Sequence, residues 1–169
     1  MSTYTTTEKD FVITRTIDAP RKAVFKAWTD PAQLKQWWAP KIFTNPVCEI
    51  DLAEGGAYRI VMRSPEGIEY PIEGVYREIV EPELLVFTMN TKDHPYEWHE
   101  MVNKKRPNRK GNLEELLTRV RFEDDGNKTK LTVEIYFISV EDCKALIQLG
   151  MNEGWAESLD KLEGFVAKA

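Results

Sequence analysis

The feature that most constrains the fold of this chain is a change in the period of its apolar residues. Over most of residues 46–137, apolar and polar residues alternate with a period of two, as in β-strands that bury one face. Residues 140–167 then place their apolar side chains at helical spacing. Because a sheet with one apolar face needs a cover, we expect this terminal helix to pack on it.

The predicted strands are joined by short turns, of which "DDGN" at residues 124–127 is the clearest hairpin signal. Short connections place consecutive strands side by side, so we expect a mostly antiparallel sheet. The predicted strands are residues 10–17, 47–52, 57–63, 69–80, 83–90, 116–123 and 129–137.

Two short helices are predicted after the first strand, over residues 21–28 and 31–38. Asp30 followed by Pro31 is typical of a helix N-terminus, since the Asp side chain caps and proline suits the first turn. The second helix ends in "WWAP", with Trp37 and Trp38 adjacent. Such an indole either plugs a corner between helices or walls the mouth of a pocket, and Trp38 is the one we expect to face a cavity.

The terminal helix combines a strong apolar stripe with glycines, each of which costs a helix interior about 1 kcal/mol relative to alanine. Gly150, Gly154 and Ser158 are each four residues apart and run along the flank of the stripe. They leave space for a ligand, allow close packing on the sheet, or mark a kink. The stripe consists of Ile147, Met151, Trp155, Leu159, Leu162 and Val166.

Length and charge exclude several classes of protein. A chain of 169 residues suits one domain, which we place at residues 1–169 with its core at about 10–167. A net charge of -5 argues against binding to nucleic acid or to an anionic membrane surface. The polar start and the lack of a long apolar run predict a cytoplasmic protein, with Cys48 and Cys143 as free thiols.

Residues 92–112 break the strand pattern and are predicted to be an inserted loop. The loop ends in the basic run "KKRPNRK" at 104–110, which is either a solvated face or a contact for an acidic partner. Arg15 lies on the apolar face of the first strand and needs a partner. That partner is an acid such as Glu49 or Asp51, or the carboxylate of a ligand.

Signs of catalysis are weak. His94 and His99 both lie in the predicted loop and lack the spacing of a helical zinc site. No serine occupies a nucleophile elbow, and neither cysteine is near a histidine in sequence. We therefore expect no metal and no cofactor, and catalysis is unsupported by the sequence.

The chain resembles the START-like (SRPBCC) superfamily, and more narrowly the branch named for homologues of the heat-shock-protein-ninety ATPase activator. The motifs that carry the resemblance are "RTIDAPRKAVFKAWTDPAQLKQWWAP", "DLAEGGAYRIVMRSPEG" and "GMNEGWAESLDKLE", in that order. The resemblance implies an α+β helix-grip fold, with a curved antiparallel sheet of six or seven strands wrapped around the long C-terminal helix. It also implies an apolar cavity between sheet and helix.

The resemblance predicts a binding protein for a small hydrophobic molecule, aromatic or lipid-like. Two alternatives stay open: a chaperone co-factor, and an enzyme acting on a bound aromatic or polyketide-like compound. We expect a monomer or weak homodimer. Each candidate cavity residue could instead be ordinary core; the candidates are Trp38, Tyr58, Ile60, Met62, Tyr76, Phe87, Met89, Val120, Val133, Ile135, Gly150, Met151, Gly154 and Trp155.

Overall fold

The computed structural model describes residues 3–6, 9–109 and 111–167 and confirms the predicted α+β fold. The strands are β1 (Thr3–Thr6), β2 (Asp10–Ile17), β3 (Thr44–Ile50), β4 (Ala57–Arg63), β5 (Glu69–Val80), β6 (Leu84–Met89), β7 (Leu116–Asp125) and β8 (Lys128–Tyr136). The helices are α1 (Arg21–Thr29), α2 (Pro31–Trp37), α3 (Tyr96–Lys104), α4 (Val140–Gln148) and α5 (Met151–Ala167).

The strands form one eight-stranded sheet in the order β1-β2-β8-β7-β6-β5-β4-β3. All neighbouring pairs are antiparallel, as the short turns predict. The chain runs from β3 to β8 as a meander, and β2 joins the sheet beside β8. The strand β1 was not predicted, because its threonines carry no apolar alternation.

The predicted apolar face is the buried face. Along β8, Leu131, Val133 and Ile135 are fully buried, whereas the residues between them are partly exposed. The same alternation follows β7 and β2. This largely apolar face of the sheet carries the helices.

The sheet is curved, and β5 carries part of the bend. The pairing of β5 with β6 shifts register between Tyr76 and Glu78. At Gly74 the chain passes so close to β6 that a Cβ atom would overlap the Thr88 carbonyl oxygen. Only glycine allows this approach, so Gly74 sets the path by which β3, β4 and the first half of β5 curve towards the helices.

Helices α1 and α2 cover one part of the apolar face. Asp30 lies between them, and its side chain accepts a hydrogen bond of 3.0 Å from the Ala32 amide, as predicted for an N-cap. From α1, Phe25 packs edge-on against Phe122 of β7 with ring centroids 5.2 Å apart. Trp28 packs against Trp37 at 4.8 Å. These four aromatic side chains fill the space beneath the two helices.

The single terminal helix predicted at 140–167 is wrong in one respect, because the structure divides it into α4 and α5. Gly150 has a φ of +100°, a left-handed conformation that favours glycine and ends a helix. Its amide donates to the Ile147 carbonyl at 3.1 Å, which closes the last turn of α4. Of the three alternatives for the glycines, the kink is therefore what Gly150 produces.

The segment 92–112, predicted as a loop, contains helix α3. The helix buries Val102 and half-buries Trp98, so it packs on the domain. The interpretation of the basic run as a solvent-exposed face is wrong at Arg106, because the side chain of Arg106 is only 1% exposed. Lys110, at the end of that run, lies outside the described residues.

Both cysteines are free thiols, as predicted. Burial raises the pKa of the Cys48 thiol to about 11, so it stays protonated at neutral pH. Among the described helices, none is both long and apolar enough to cross a membrane.

Candidate ligand-binding site

A cavity of about 250 Å³ lies between the sheet and the C-terminal helices. Strands β4 to β8 provide its floor, α4 and α5 one wall, and α3 with the turn after α2 the other sides. It is lined by Trp38, Ala39, Pro40, Met62, Ile72, Met89, Thr91, Trp98, Leu116, Ile135, Leu146, Leu149, Gly150, Met151, Gly154, Trp155 and Ser158.

The predicted cavity residues fall into three groups. The first lines the cavity: Trp38, Met62, Met89, Ile135, Gly150, Met151, Gly154 and Trp155. The second, Tyr58, Ile60, Tyr76 and Phe87, lines a separate void of about 10 Å³, together with Trp38. The third, Val120 and Val133, is fully buried core and borders neither space. The structure therefore places only part of the predicted set around the cavity.

The second void is too small for a ligand, since about 10 Å³ corresponds to a single water molecule. Its tyrosines are structural. The Tyr58 hydroxyl donates to the Thr88 carbonyl at 2.6 Å, and burial raises the pKa of Tyr58 well above its usual value. Burial likewise raises the pKa of Tyr76. Both phenols therefore stay neutral and add no charge to the site.

The two tryptophans of "WWAP" lie in different surroundings. Trp37 is fully buried, and its Nε1 donates to the Ala27 carbonyl at 3.0 Å, so it plugs the corner between α1 and α2. Trp38 lines the cavity and packs edge-on against Trp155 of α5 with ring centroids 5.4 Å apart. One indole thus completes the core while the next forms the cavity wall.

The turn after α2 is held against α5 by charged side chains. Ala39 has a φ of 79°, which costs an alanine about 1 kcal/mol. The Lys161 ammonium lies within hydrogen-bond distance of the carbonyls of Trp38, Ala39 and Pro40, at 3.4, 3.2 and 3.3 Å. Glu157 accepts from the Lys41 amide at 2.9 Å. These contacts fix the wall that carries Trp38.

Gly154 faces this turn, and a Cβ atom there would lie 3.6 Å from Pro40 Cγ, an ordinary contact distance. The glycine is therefore not required by close packing of α5 on the sheet. Its missing side chain instead adds open volume to the cavity. By contrast, a Cβ on Gly164, further along α5, would meet no atom within 4 Å.

Several residues that line the cavity were not predicted, because they lie in helix α3 or at the end of helix α4. The sequence predicted neither helix α3 nor the end of α4. Trp98 lies on α3, which was predicted as loop. Leu146 and Leu149 face the cavity because the helix breaks immediately after them. The apolar residues of "HPYEWHEMV" at four-residue spacing, Trp98 and Val102, are the signal that could have indicated a packed helix.

A buried ion-pair cluster connects the segment after α3 to α4. Arg106 Nη1 lies 3.1 Å from Asp142 Oδ1, and both side chains are only 1% exposed. Arg109 Nε lies 3.1 Å from the same oxygen. Arg106 also donates to Asn103 Oδ1 and to the Gly111 carbonyl. Because a buried charge is tolerated only when it is paired, this cluster fixes α3 over the cavity.

His94 packs beneath α3, in contact with the rings of Tyr70 and Trp98, whose centroids lie 5.4 and 4.5 Å away. Its Nδ1–H donates to the Pro71 carbonyl at 3.0 Å. Burial lowers the pKa of His94 to about 4, so the imidazole is neutral at physiological pH. Since Trp98 lines the cavity, His94 supports the cavity wall from behind.

Arg15 pairs with acidic side chains, as predicted, but with neither of the two named examples. Its guanidinium lies 2.6 Å from Asp160 and 3.2 Å from Glu163, both on α5, and donates to the Ala156 carbonyl at 3.2 Å. Glu49 and Asp51 lie in and just after β3, at the other end of the strand order from β2, whereas β2 packs against α5. Arg15 therefore ties β2 to the terminal helix.

Within the described part of the chain, the residues that line the cavity include no Asp, Glu, Lys, Arg or His. The lining residues with a polar side-chain group are Thr91, Ser158 and the three tryptophans. The described residues also contain no group of three or more His, Cys, Asp or Glu side chains that could hold a metal ion. Such a lining suits an uncharged, largely apolar molecule.

The comparisons with known proteins agree with this architecture. The family model described as Activator of Hsp90 ATPase homolog 1-like protein matches residues 18–167. A comparison with curated proteins gives no match. Similar solved structures include a protein from Nitrosomonas europaea, 22% identical, with a TM-score of 0.79 and 97% of each chain covered.

Two further structures extend the likeness. A protein from Rhodobacter sphaeroides is 17% identical, with a TM-score of 0.82 and 99% of each chain covered. The AHSA1 protein from Silicibacter pomeroyi is 23% identical, with a TM-score of 0.72; the alignment covers 94% of this chain and 97% of that one. At these identities the likeness shows a shared fold.

Proposed function

The chain belongs to the family of Activator of Hsp90 ATPase homolog 1-like proteins, and from that premise we propose that it binds a small hydrophobic molecule, aromatic or lipid-like, without catalysis. The binding site is the cavity between the sheet and helices α4 and α5. The observation that carries the proposal is an apolar pocket of about 250 Å³, partly open to solvent, between the sheet and helices α4 and α5. Concave, mostly apolar pockets are typical of sites that bind small molecules.

The volume of the pocket sets the size of the part of a ligand that can be buried in it. An engineered cavity of about 150 Å³ holds benzene, which has six carbon atoms. By proportion, about 250 Å³ holds a molecule of about ten non-hydrogen atoms. A dissociation constant of about 1 μM would then need about 0.8 kcal/mol from each atom, which lies within the range of efficient small ligands.

The lining supports an adaptable apolar site. Met62, Met89 and Met151 have flexible side chains that can fit ligands of different shape. The indoles of Trp38, Trp98 and Trp155 supply flat apolar faces. Leucine, isoleucine and alanine side chains form much of the remaining surface, so burial of apolar ligand area is the main source of affinity.

Naphthalene, with ten carbon atoms, is a suitable probe. We expect calorimetry to detect binding in the micromolar range and the fluorescence of Trp155 to change. A tenfold excess over the dissociation constant should raise the melting temperature by about 4 °C, since it adds about 1.4 kcal/mol of stability to the folded state. Circular dichroism measures that shift.

A matched pair of glycine variants locates the site. Gly154→Leu places a side chain in the cavity and should weaken naphthalene binding at least tenfold. Gly164→Leu makes the same change on the same helix, at a position facing open space, and should leave binding unchanged. Failure of the unaltered protein to bind naphthalene, or equal binding by both variants, would contradict the proposal.

A chaperone co-factor is the second candidate, and the printed description of the family favours it. The test is a pulldown of the heat-shock-protein-ninety chaperone with the purified chain, followed by measurement of its ATPase rate. Stimulation of that rate would support this function, and no binding at micromolar concentrations would count against it.

Catalysis on a bound aromatic or polyketide-like compound is the third candidate. It would require a titratable group in contact with the ligand. The described lining of the cavity supplies no carboxylate, imidazole or amine, so no observation at the site favours this function.

A further inference from the structure

One side chain lies between the cavity and the small void of about 10 Å³. Among the described residues, Trp38 is the only one that lines both spaces. Its ring packs edge-on against Trp155, which lines the cavity, with centroids 5.4 Å apart. It also packs edge-on against Trp28, which lines the void, at 6.0 Å. The indole of Trp38 is therefore a partition between two unfilled spaces.

The side of the cavity that faces solvent is formed by other residues. Trp98 of α3 lines the cavity and is partly exposed, as are Leu149 and Met151 on either side of the break between α4 and α5. By contrast, Trp38 is only 6% exposed and Ile135 is fully buried. A ligand that enters between α3 and the α4–α5 junction therefore meets the Trp38 indole at the deep end of the cavity.

The space behind Trp38 is also apolar. The void is lined by Trp28, Leu34, Trp38, Tyr58, Ile60, Tyr76, Leu85 and Phe87. None of these side chains is charged at neutral pH, because burial raises the pKa of both tyrosines above the usual range. An apolar ligand would therefore meet no charged group beyond Trp38, and the indole itself is what limits how deep the ligand can reach.

The backbone of Trp38 is held by contacts that do not involve its ring. The Trp38 amide donates to the Leu34 carbonyl at 3.0 Å. The Trp38 carbonyl accepts from Asn45 Nδ2 at 2.7 Å and from the Lys161 ammonium at 3.4 Å. Because these contacts use backbone atoms of Trp38, a smaller side chain at this position should keep the turn after α2 in place.

We propose, resting on the proposed function, that Trp38 determines the size of the ligand. The protein buries a compact apolar group of about ten non-hydrogen atoms, such as a bicyclic ring or a medium-length chain. A longer chain stops at Trp38, and the rest of it extends into solvent. The ligand class is therefore compact apolar compounds rather than long-chain lipids.

A series of straight-chain alcohols from n-hexanol to n-dodecanol tests the proposal by calorimetry. Each buried methylene group strengthens binding about fourfold, so affinity should rise with chain length and level off at about ten carbon atoms in the unaltered protein. In Trp38→Ala the chain can occupy the space of the indole and the void behind it. That variant should bind n-dodecanol about tenfold more tightly than n-decanol, whereas the unaltered protein should bind both about equally.

Two further variants assign the effect to the partition. Leu34→Ala enlarges the void but leaves Trp38 in place, so the chain length at which affinity levels off should be unchanged. Trp38→Leu removes only part of the ring volume and should give a smaller gain for n-dodecanol than Trp38→Ala. Circular dichroism spectra and melting temperatures show whether each variant is folded, and Trp38→Leu replaces Trp38→Ala if alanine prevents folding.

The outcomes separate this inference from the proposed function. Affinity that keeps rising up to n-dodecanol in the unaltered protein would overturn the inference, because the cavity would then not end at Trp38. The same plateau in the Trp38 variants, or an equal gain in Leu34→Ala, would also overturn it. Each of these results leaves the proposed function standing. No binding of naphthalene or of any alcohol would overturn both.

Discussion

Two regions beneath the helices differ in how the same sheet face is covered. We call them the packed end, formed by Phe25, Trp28, Trp37 and Phe122, and the open end, which is the cavity. The strands supply buried apolar side chains to both. The covering helices differ: α1 and α2 bring aromatic rings whose centroids lie 4.8 to 6.1 Å apart, whereas α4 and α5 bring Gly150 and Gly154. The helices, rather than the sheet, decide where space remains.

The largest expected effect compares two tryptophans. Trp37→Ala at the packed end should lower the free energy of unfolding by about 4 kcal/mol, because it removes a fully buried ring and the hydrogen bond to Ala27. Trp155→Ala at the open end should cost only about 1 to 2 kcal/mol, since one side of that ring already faces the cavity. Urea unfolding measures both, and equal losses would remove the distinction between the ends.

The second prediction concerns the cluster that holds α3 over the open end. Arg106→Met leaves Asp142 buried beside a single arginine and should cost about 3 to 4 kcal/mol in urea unfolding. Naphthalene binding should weaken as well, because α3 and α4 both line the cavity. Arg63→Met, at an exposed pair with Glu69, is the control and should cost less than about 0.5 kcal/mol. A similar cost at both sites would contradict the structural role of Arg106.

The third prediction concerns the stability of the protein at acidic pH. His94 has a pKa of about 4 in the folded protein and 6.5 when unfolded, so below pH 6.5 the unfolded chain binds a proton that the folded chain does not. Stability should therefore fall by about 2 to 3 kcal/mol between pH 7 and pH 4 from this residue alone, and level off below pH 4. His94→Gln should remove that part of the pH dependence measured by urea unfolding. An unchanged pH dependence in the variant would show that His94 does not titrate in this way.

The smallest expected effects come from alanine at the glycines of the terminal helices. Gly154→Ala and Gly164→Ala should each raise stability by about 0.5 to 1 kcal/mol, because alanine favours a helix and neither position is crowded. Gly150→Ala should lower it by about 1 kcal/mol, because its φ of +100° strains any side chain. Thermal unfolding shows whether each variant has a higher or a lower melting temperature than the unaltered protein. A gain at Gly150 would mean that the break between α4 and α5 is not needed.

The sequence predicted the layers of the fold well, since periodicity reports directly on local structure. The predicted limits of β2, β4 and β5 match the structure. The sequence predicted one continuous helix across Gly150, because the apolar stripe continues from Ile147 to Met151. Helix α3 was missed because it is short and polar, and a contact between Arg106 and Asp142, distant in the chain, holds it in place.

The candidate site was predicted only in part, and the reason is physical. Phe87 and Met89 lie on one strand and face the same side, yet Phe87 borders the small void and Met89 the cavity. Alternation indicates that a side chain is buried, but not which helix lies above it. Trp37 and Trp38 are adjacent in the sequence, yet Trp37 is buried core and Trp38 lines the cavity, and the apolar pattern does not report that difference.

The left-handed residue Gly150 divides the charged contacts into two sets. On one side, α5 is joined to β2 through Arg15 and to the turn of Ala39 through Lys161. On the other, α4 is joined to α3 through Asp142 and Arg106. Gly150 is thus the boundary between two separately anchored helices, and the cavity lies where they meet, with Leu149 and Met151 on either side of that boundary in its lining.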